Sequence, residues 1–246
     1  MSTVAPEADI VREAQRVLDA ANDVRLRLLG GLAIAVSLPH APLLPRTYND
    51  IDFITARGEG PDTVKLFERL GYESDHQFNG LNGHRRLLFY DTVNERRVDV
   101  FVGRFEMCHM WALERRLDVM DRTIPLADLL LTKLQIFAVN EKDQRDIVNL
   151  LHGHKLSERD DAINGAYIAK LCAGDWGLWR TTTMNIERAR TALPRFDLAP
   201  HDEAIVASRL DDLRKRIDAE PKSTRWKLRA RVGERVQWYE DPEEIG

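Results

Sequence analysis

Cysteine is almost absent from this chain: Cys108 and Cys172 are the only two in 246 residues, far apart and in unlike surroundings. A disulfide-built secreted domain would carry more, and neither cysteine has a companion at metal-ligand spacing. Long apolar runs are missing too. No segment approaches the roughly 20 apolar residues that a bilayer span requires, and the opening MSTVAPEADIVREAQ lacks the charged-then-apolar order of a secretion signal. Positive charge is not in excess, since 36 Lys and Arg stand against 40 Asp and Glu for a net charge of -4. That excludes a generally basic nucleic-acid coat protein while leaving room for a local basic patch. The expectation is a cytoplasmic protein with no membrane partner. Its 246 residues, 43% of them hydrophobic, suffice for one large domain or two modest ones.

Periodicity organises what is present. Ile10, Val11, Ala14, Val17 and Leu18 fall at helical spacing and predict an opening helix from Pro6 to about Ala21. VRLRLL then alternates up to Gly30-Gly31, and LAIAVSL follows, which reads as strand, tight turn and helix. A loop carrying Pro42 and Pro45 leads to the strand-like IDFIT. PDTVKLFERLGY has Pro61 at a helix start and Gly71 at its close. RRLLFYDTVNERRVDVFVG predicts a hairpin turning at Thr92 to Glu95. Beyond Gly103 the character changes. Leu126, Leu129, Leu130, Leu134 and Phe137 recur at helical intervals, Ile147, Leu150 and Leu151 follow, and everything onward reads as helical, including ERDDAINGAYIAKLC and HDEAIVASRLDDLRKRIDAE. No repeat period is detectable.

The chemistry is concentrated in aspartates placed on strands. Side chains alternate along a strand, so Asp50 and Asp52 share a face, about 7 Å apart, while Ile51 and Phe53 face the core. Asp99 opposes Val98 and Val100 in the same way and is the natural third carboxylate. Converging carboxylates suit Mg²⁺, with Mn²⁺ as its alternative, because such ions take a few carboxylate oxygens together with substrate phosphate oxygens. A strand, two glycines and a helix bring bare backbone amides toward an anion. Together these are two halves of a nucleoside triphosphate site.

LLGGLAIAV, RTYNDIDFI and RRVDVFV resemble the signature of the nucleotidyltransferase superfamily of polymerase-β-like fold: an apolar strand, Gly-Gly, Asp-x-Asp and a later Asp. The resemblance covers roughly the first hundred residues. IPLADLLLTKLQ and EKDQRDIVNLL are similar to the helical part of AbiEii-like (type IV toxin) and antibiotic nucleotidyltransferases. It implies an α/β fold, with a mixed-sheet nucleotidyltransferase domain over 1–104 and a helical C-terminal region over 105–246. The implied activity moves a nucleoside monophosphate from an NTP to an acceptor hydroxyl. The implied catalytic and metal residues are Asp50, Asp52 and Asp99. Gly30, Gly31, Arg46 and Lys133 are assigned to the nucleotide, with Asp146 or its competitor Asp143 as the later acidic motif. The Gly31 to Asp50 spacer is longer than the family's usual one, and Thr47 is not carried over. The implied acceptor is tRNA or protein, with an antitoxin as partner; the alternatives are an aminoglycoside or lincosamide acceptor, or a nucleotide-binding module without transfer activity.

Other residues carry plainer readings. Lys133 on an apolar helix also fits a snorkelling surface lysine. Asp143 and Asp146 also fit a solvated helix face. His152 and His154 read as surface groups rather than metal ligands, and Trp176 and Trp179 as packing anchors. The basic run from Trp226 to Arg235 suits RNA phosphates or simply a solvated helix.

Overall fold

Strands with alternating apolar and charged residues build the sheet that positions the candidate site. The computed structural model describes residue 6 and residues 8–241. The chain divides into two compact units, one of Met1–Val36, Thr47–Glu106 and Met110–Pro125, the other of Ser37–Arg46, Met107–His109 and Leu126–Gly246. The first unit therefore runs past the boundary expected after residue 104, and the proline-bearing loop belongs to the second.

The first unit opens with helix α1 (Ile10–Ala20), capped by the Asp9 carboxylate, which accepts from the Val11 and Arg12 amides. Then come β1 (Leu26–Leu29), α2 (Gly30–Ser37), β2 (Ile51–Thr55), α3 (Gly60–Arg69), β3 (Glu73–Ser74), α4 (His76–Asn82), β4 (Arg86–Asp91) and β5 (Arg96–Val102). A small pair, β6 (Arg104–Glu106) and β7 (Met110–Ala112), completes it. The five-stranded sheet has the order β1-β2-β5-β4-β3. Only β2 and β5 run parallel; the other neighbours are antiparallel, so the sheet is mixed as expected.

One sheet face is apolar and carries the core. Phe53 and Phe89 pack on Phe67 of α3, the latter stacked at 4.4 Å between centroids, and Tyr72 meets Phe67 edge-on at 5.2 Å. The hairpin turns where its composition said it would. Asp91 accepts from the Val93 and Asn94 amides and from the Arg96 guanidinium, so the β4-β5 turn is closed from inside. Burial alone would raise the Asp91 pKa, but its bonds to Asn94 and Arg96 outweigh that and hold it below the usual carboxylate value. A buried Glu13 on α1 is compensated by Arg16 at 2.7 Å and by the Tyr72 hydroxyl, which ties the first helix to the end of α3.

The second unit contains α5 (Leu126–Leu134), α6 (Glu141–Gly153), β8 (Leu156–Ser157), β9 (Ile163–Asn164), α7 (Gly165–Gly174), α8 (Trp176–Ala192), α9 (Pro200–Ala219) and α10 (Thr224–Val232). Two expectations are corrected. The helix read through Phe137 stops at Leu134, and Phe137 stacks instead on Tyr239 at 3.7 Å. The segment ERDDAINGAYIAKLC is not one helix: β8 and β9 pair in parallel, and α7 begins only at Gly165, where Asn164 caps the Tyr167 amide at 2.9 Å. Asn and Asp compete for backbone bonds before a helix can start, which is why amphipathic spacing misplaced its beginning. Trp176 is buried and meets Trp179 and Trp238, as a packing anchor should.

His109 gives the second unit a pH dependence. It is 9% exposed, its amide donates to Gln135 Oε1 at 2.9 Å, and its Nε2 lies 2.8 Å from Thr181 Oγ1. Burial pulls the imidazole pKa down to about 4, with Asp175 opposing weakly. The unfolded chain takes up this proton near pH 6.5, before the folded one does. Stability from this site is therefore complete above about pH 6.5 and is lost as pH falls toward 4, by up to about 3 kcal/mol. Urea unfolding at pH 7 and pH 4.5 should show the loss, and His109→Gln should flatten it. An equal slope in that variant would place the sensitivity elsewhere.

Candidate active site

Two groups of sequence-derived residues emerge, one in each unit. In the first, β1 runs directly into α2 without the expected intervening turn. Gly30 is the first helical residue and has φ +75°, a left-handed conformation that side-chain-bearing residues rarely adopt. The space beside it is also taken. A Cβ on Gly30 would stand 2.3 Å from Asp52 Oδ2. Glycine is needed here twice, for its backbone and because the Asp52 carboxylate occupies the place of a side chain. Gly31 is buried in the first turn of α2.

Pairing fixes the carboxylates. Asp52 is in register with Leu29 of β1 on one side and with Asp99 of β5 on the other, and registered neighbours share a face. β2 begins at Ile51, so Asp50 sits just ahead of the strand expected to contain it and is exposed. Asp99 is 3% exposed and held by two arginines that motif reasoning missed. Arg86 Nε lies 2.8 Å from its Oδ1, and Arg97 Nε lies 3.2 Å from its Oδ2. Arg86 also lies over the Phe101 ring at 5.2 Å. Strand parity is the signal that could have found them. Arg97 and Asp99 are two apart on β5, and Arg86 is registered with Phe101 on the same face.

This donor set fits a hard divalent cation in kind, because Asp50 and Asp52 carry carboxylate oxygens, and the missing side chain of Gly30 lets the Asp52 carboxylate lie against the start of α2. Asp99 is committed to its arginines. Among the described residues no three His, Cys, Asp or Glu side chains are grouped so as to hold a metal.

The second group is assembled by α6. Asp146, fully buried, takes Arg46 in a two-bond fork, Nε to Oδ1 and Nη2 to Oδ2, both at 2.7 Å. Lys133 of α5 reaches Asp146 Oδ2 and Asp143 Oδ1, both at 3.0 Å. Lys133 is 12% exposed and so is no snorkelling surface lysine. Burial disfavours its charge, but Asp146 and Asp143 outweigh burial and raise its pKa above the usual lysine value. Asp143 has a further task. It closes the capping box of α6 with Asn140, which separates it from Asp146 as the carboxylate tied to helix geometry.

Asn149 explains the proline loop. Its amide donates to the Leu44 carbonyl at 2.9 Å, and its oxygen accepts from the Leu44 amide at 2.8 Å. Further along, Leu38 packs close to Gly153, and His154 Nε2 meets the Ser37 carbonyl at 3.0 Å. The loop thus lies along α6, and the fork to Asp146 fixes Arg46 at its end. His152 pairs with Asp202 at 2.9 Å.

Compared with known proteins, the chain matches no family model, no curated protein and no solved structure. The likeness to nucleotidyltransferases rests on its motifs alone.

Gly30→Ala tests the close approach. It should cost about 1–3 kcal/mol through backbone strain and displacement of the Asp52 carboxylate. Thermal unfolding measures the cost, whereas Gly58→Ala, with φ +89° and nothing near its would-be Cβ, should show the strain alone. Equal losses in the two variants would dismiss the Asp52 contact as a constraint.

Proposed function

We propose that the protein is a Mg²⁺-dependent nucleotidyltransferase that moves a nucleoside monophosphate from an NTP to an acceptor hydroxyl. The observation that carries this reading is the registered pair Asp52 and Asp99 beside a glycine whose missing side chain makes room for the Asp52 carboxylate. The acceptor in this reading is tRNA or protein, with an antitoxin as the partner the resemblance implies.

Bound at Asp50 and Asp52, Mg²⁺ would offset the charge of the triphosphate and of the leaving pyrophosphate. The rest is the task of the chain. The acceptor oxygen bonds to the α-phosphorus, the bond from that phosphorus to the bridging oxygen breaks, and pyrophosphate leaves. The hydroxyl proton passes to Asp99, for which one arginine must give up one of its oxygens. The start of α2, with bare backbone at Gly30 and Gly31, suits an anionic phosphate. Arg46, Lys133, Asp143 and Asp146 are assigned to the nucleotide on the resemblance. A phosphate reaching Lys133 has to compete with two carboxylates.

A second reading, a nucleotide-binding module without transfer activity, is favoured by one observation: Asp99 is paired with Arg86 and Arg97 rather than grouped with the other aspartates. Incubation with each labelled NTP and Mg²⁺, then with total tRNA and with an aminoglycoside and lincosamide panel, separates the readings. Label moving to RNA or to the protein itself selects the macromolecular acceptor, and label moving to an antibiotic selects the small-molecule one. Nucleotide bound with no label transferred selects the module.

A further inference from the structure

A second cleft in the first unit has no part in the reaction above. It holds about 520 Å³ and is lined by Arg57, Gly58, Gly60, Gly83, His84 and Arg104, among others. It sits past the carboxyl ends of β2 and β5, the one parallel pair in the sheet, which is where open α/β sheets place their ligands. Asp52 lies toward the other end of β2, about 10 Å of strand before Thr55.

The lining is built from two kinds of part. Gly58, with φ +89°, has nothing within 4 Å of a would-be Cβ, and Gly60 approaches the Gly83 carbonyl closely enough for its would-be Cβ to lie 3.4 Å away. The wall between α3 and α4 is therefore bare backbone. Around it stand two arginines and a histidine. Arg104 is paired with Glu106 at 2.7 Å, but among the described residues neither the Arg57 guanidinium nor the exposed His84 imidazole has a hydrogen-bond or ion-pair partner. By contrast, Arg16, Arg25, Arg86, Arg96 and Arg97 of the same unit all have carboxylate partners. Among the described residues no acidic side chain lines the cleft, and the nearby Glu114 carboxylate accepts from the Arg57 amide at 2.8 Å rather than from its guanidinium.

We propose that this cleft is a phosphate-ester site, separate from the aspartates, in which Arg57, His84 and Arg104 hold the phosphate against the glycine wall. A guanidinium fork matches two phosphate oxygens, and the volume is that of a small-ligand pocket, large enough for a nucleotide. The phosphate comes from a free nucleotide or from the backbone of a nucleic-acid strand, and the two sources share the same chemistry at the site.

The test uses the full chain, with amide signals of Gly58, Gly60 and Gly83 followed by NMR during titration. The probes are inorganic phosphate, a nucleoside 5′-monophosphate and a short oligoribonucleotide. Saturable shifts with at least one of them are expected, weakened about tenfold or more in Arg57→Ala/His84→Ala and weakened less in Arg57→Lys, which keeps the charge and loses the fork. Both altered side chains are exposed, and circular dichroism verifies that the variants fold. Tighter binding of the oligoribonucleotide than of the mononucleotide names a strand as the source; equal or weaker binding names a free nucleotide. Absence of saturable shifts with all three probes, or equal binding by the double variant, overturns the proposal. The same titration in Asp52→Asn should give unchanged shifts, so a failure of nucleotidyl transfer leaves the cleft's test standing.

Discussion

Asp52→Asn is expected to lower nucleotide transfer on the order of 10³-fold while leaving thermal unfolding unchanged or slightly improved. The two effects have opposite electrostatic origins. Asp52 and Asp99 are registered across adjacent parallel strands, and like charges so placed repel. Arg86 and Arg97 offset the Asp99 charge, and an amide at 52 removes the remaining repulsion at nearly constant volume. A carboxylate that holds a divalent cation is worth several kcal/mol to the transition state, and each 1.36 kcal/mol is a factor of ten in rate. Stability relinquished for activity is expected of a functional charge pair. Steady-state transfer and a melting curve on the same preparation check both halves. If the variant unfolds much earlier and still transfers nucleotide at the wild-type rate, Asp52 is a structural residue and the site assignment is wrong. Asp50→Asn should lose transfer similarly with even less effect on unfolding, because Asp50 is exposed ahead of β2.

Local physics made one part of this architecture readable from sequence. The period-2 alternation of IDFIT and RRVDVFV fixed which side chains share a face. Their pairing into adjacent parallel strands then follows from β4 and β5 forming a hairpin and β2 joining its free edge. Gly30 was legible as a special backbone position, although the reason it cannot carry a side chain needed Asp52 in place. The residues that escaped were those whose meaning depends on a distant partner. Arg86 and Arg97 read as ordinary strand charges until Asp99 lies between them. Asn149 reads as a neutral residue in mid-helix, yet it satisfies both backbone groups of Leu44, 105 residues away. The loop from 37 to 46 looked like a spacer because prolines announce the absence of regular structure and say nothing of what the loop rests on. The plainer reading of Lys133 as a surface lysine fails for the same reason: the carboxylates that make its burial tolerable stand on the next helix.

That dependence makes Asp146→Ala the second large effect, an expected loss of about 3–5 kcal/mol. Removing the fully buried carboxylate leaves Arg46, itself only 13% exposed, without either bond of its fork, while Lys133 keeps Asp143. A buried cation stripped of its fork is the costly outcome, so removing the cation as well should recover most of the loss. Arg46→Met/Asp146→Leu should therefore unfold near the wild-type midpoint, although each change alone is destabilising, so the coupling in urea titrations should be at least the size of the Asp146 loss, about 3–5 kcal/mol. Additive losses would mean that the fork contributes nothing beyond its two side chains. The same double variant divides structure from function. Nucleotide affinity measured on it, with stability restored, stays low if Arg46 and Asp146 contact the nucleotide. It returns to the wild-type value if the fork serves only to fasten the loop from 37 to 46 onto α6. Lys133 sharpens the comparison, because its raised pKa keeps it charged throughout the neutral range. Its ion pairs stabilise the fold fully below the unfolded lysine value of about 10.4 and fade only as pH rises through the higher folded value. The double variant removes Asp146, the first cause of that raised pKa, so nucleotide affinity is compared at about pH 6 as well as at about pH 8: a deficit of equal size at both falls to the missing fork, whereas one that appears only at the higher pH falls to Lys133.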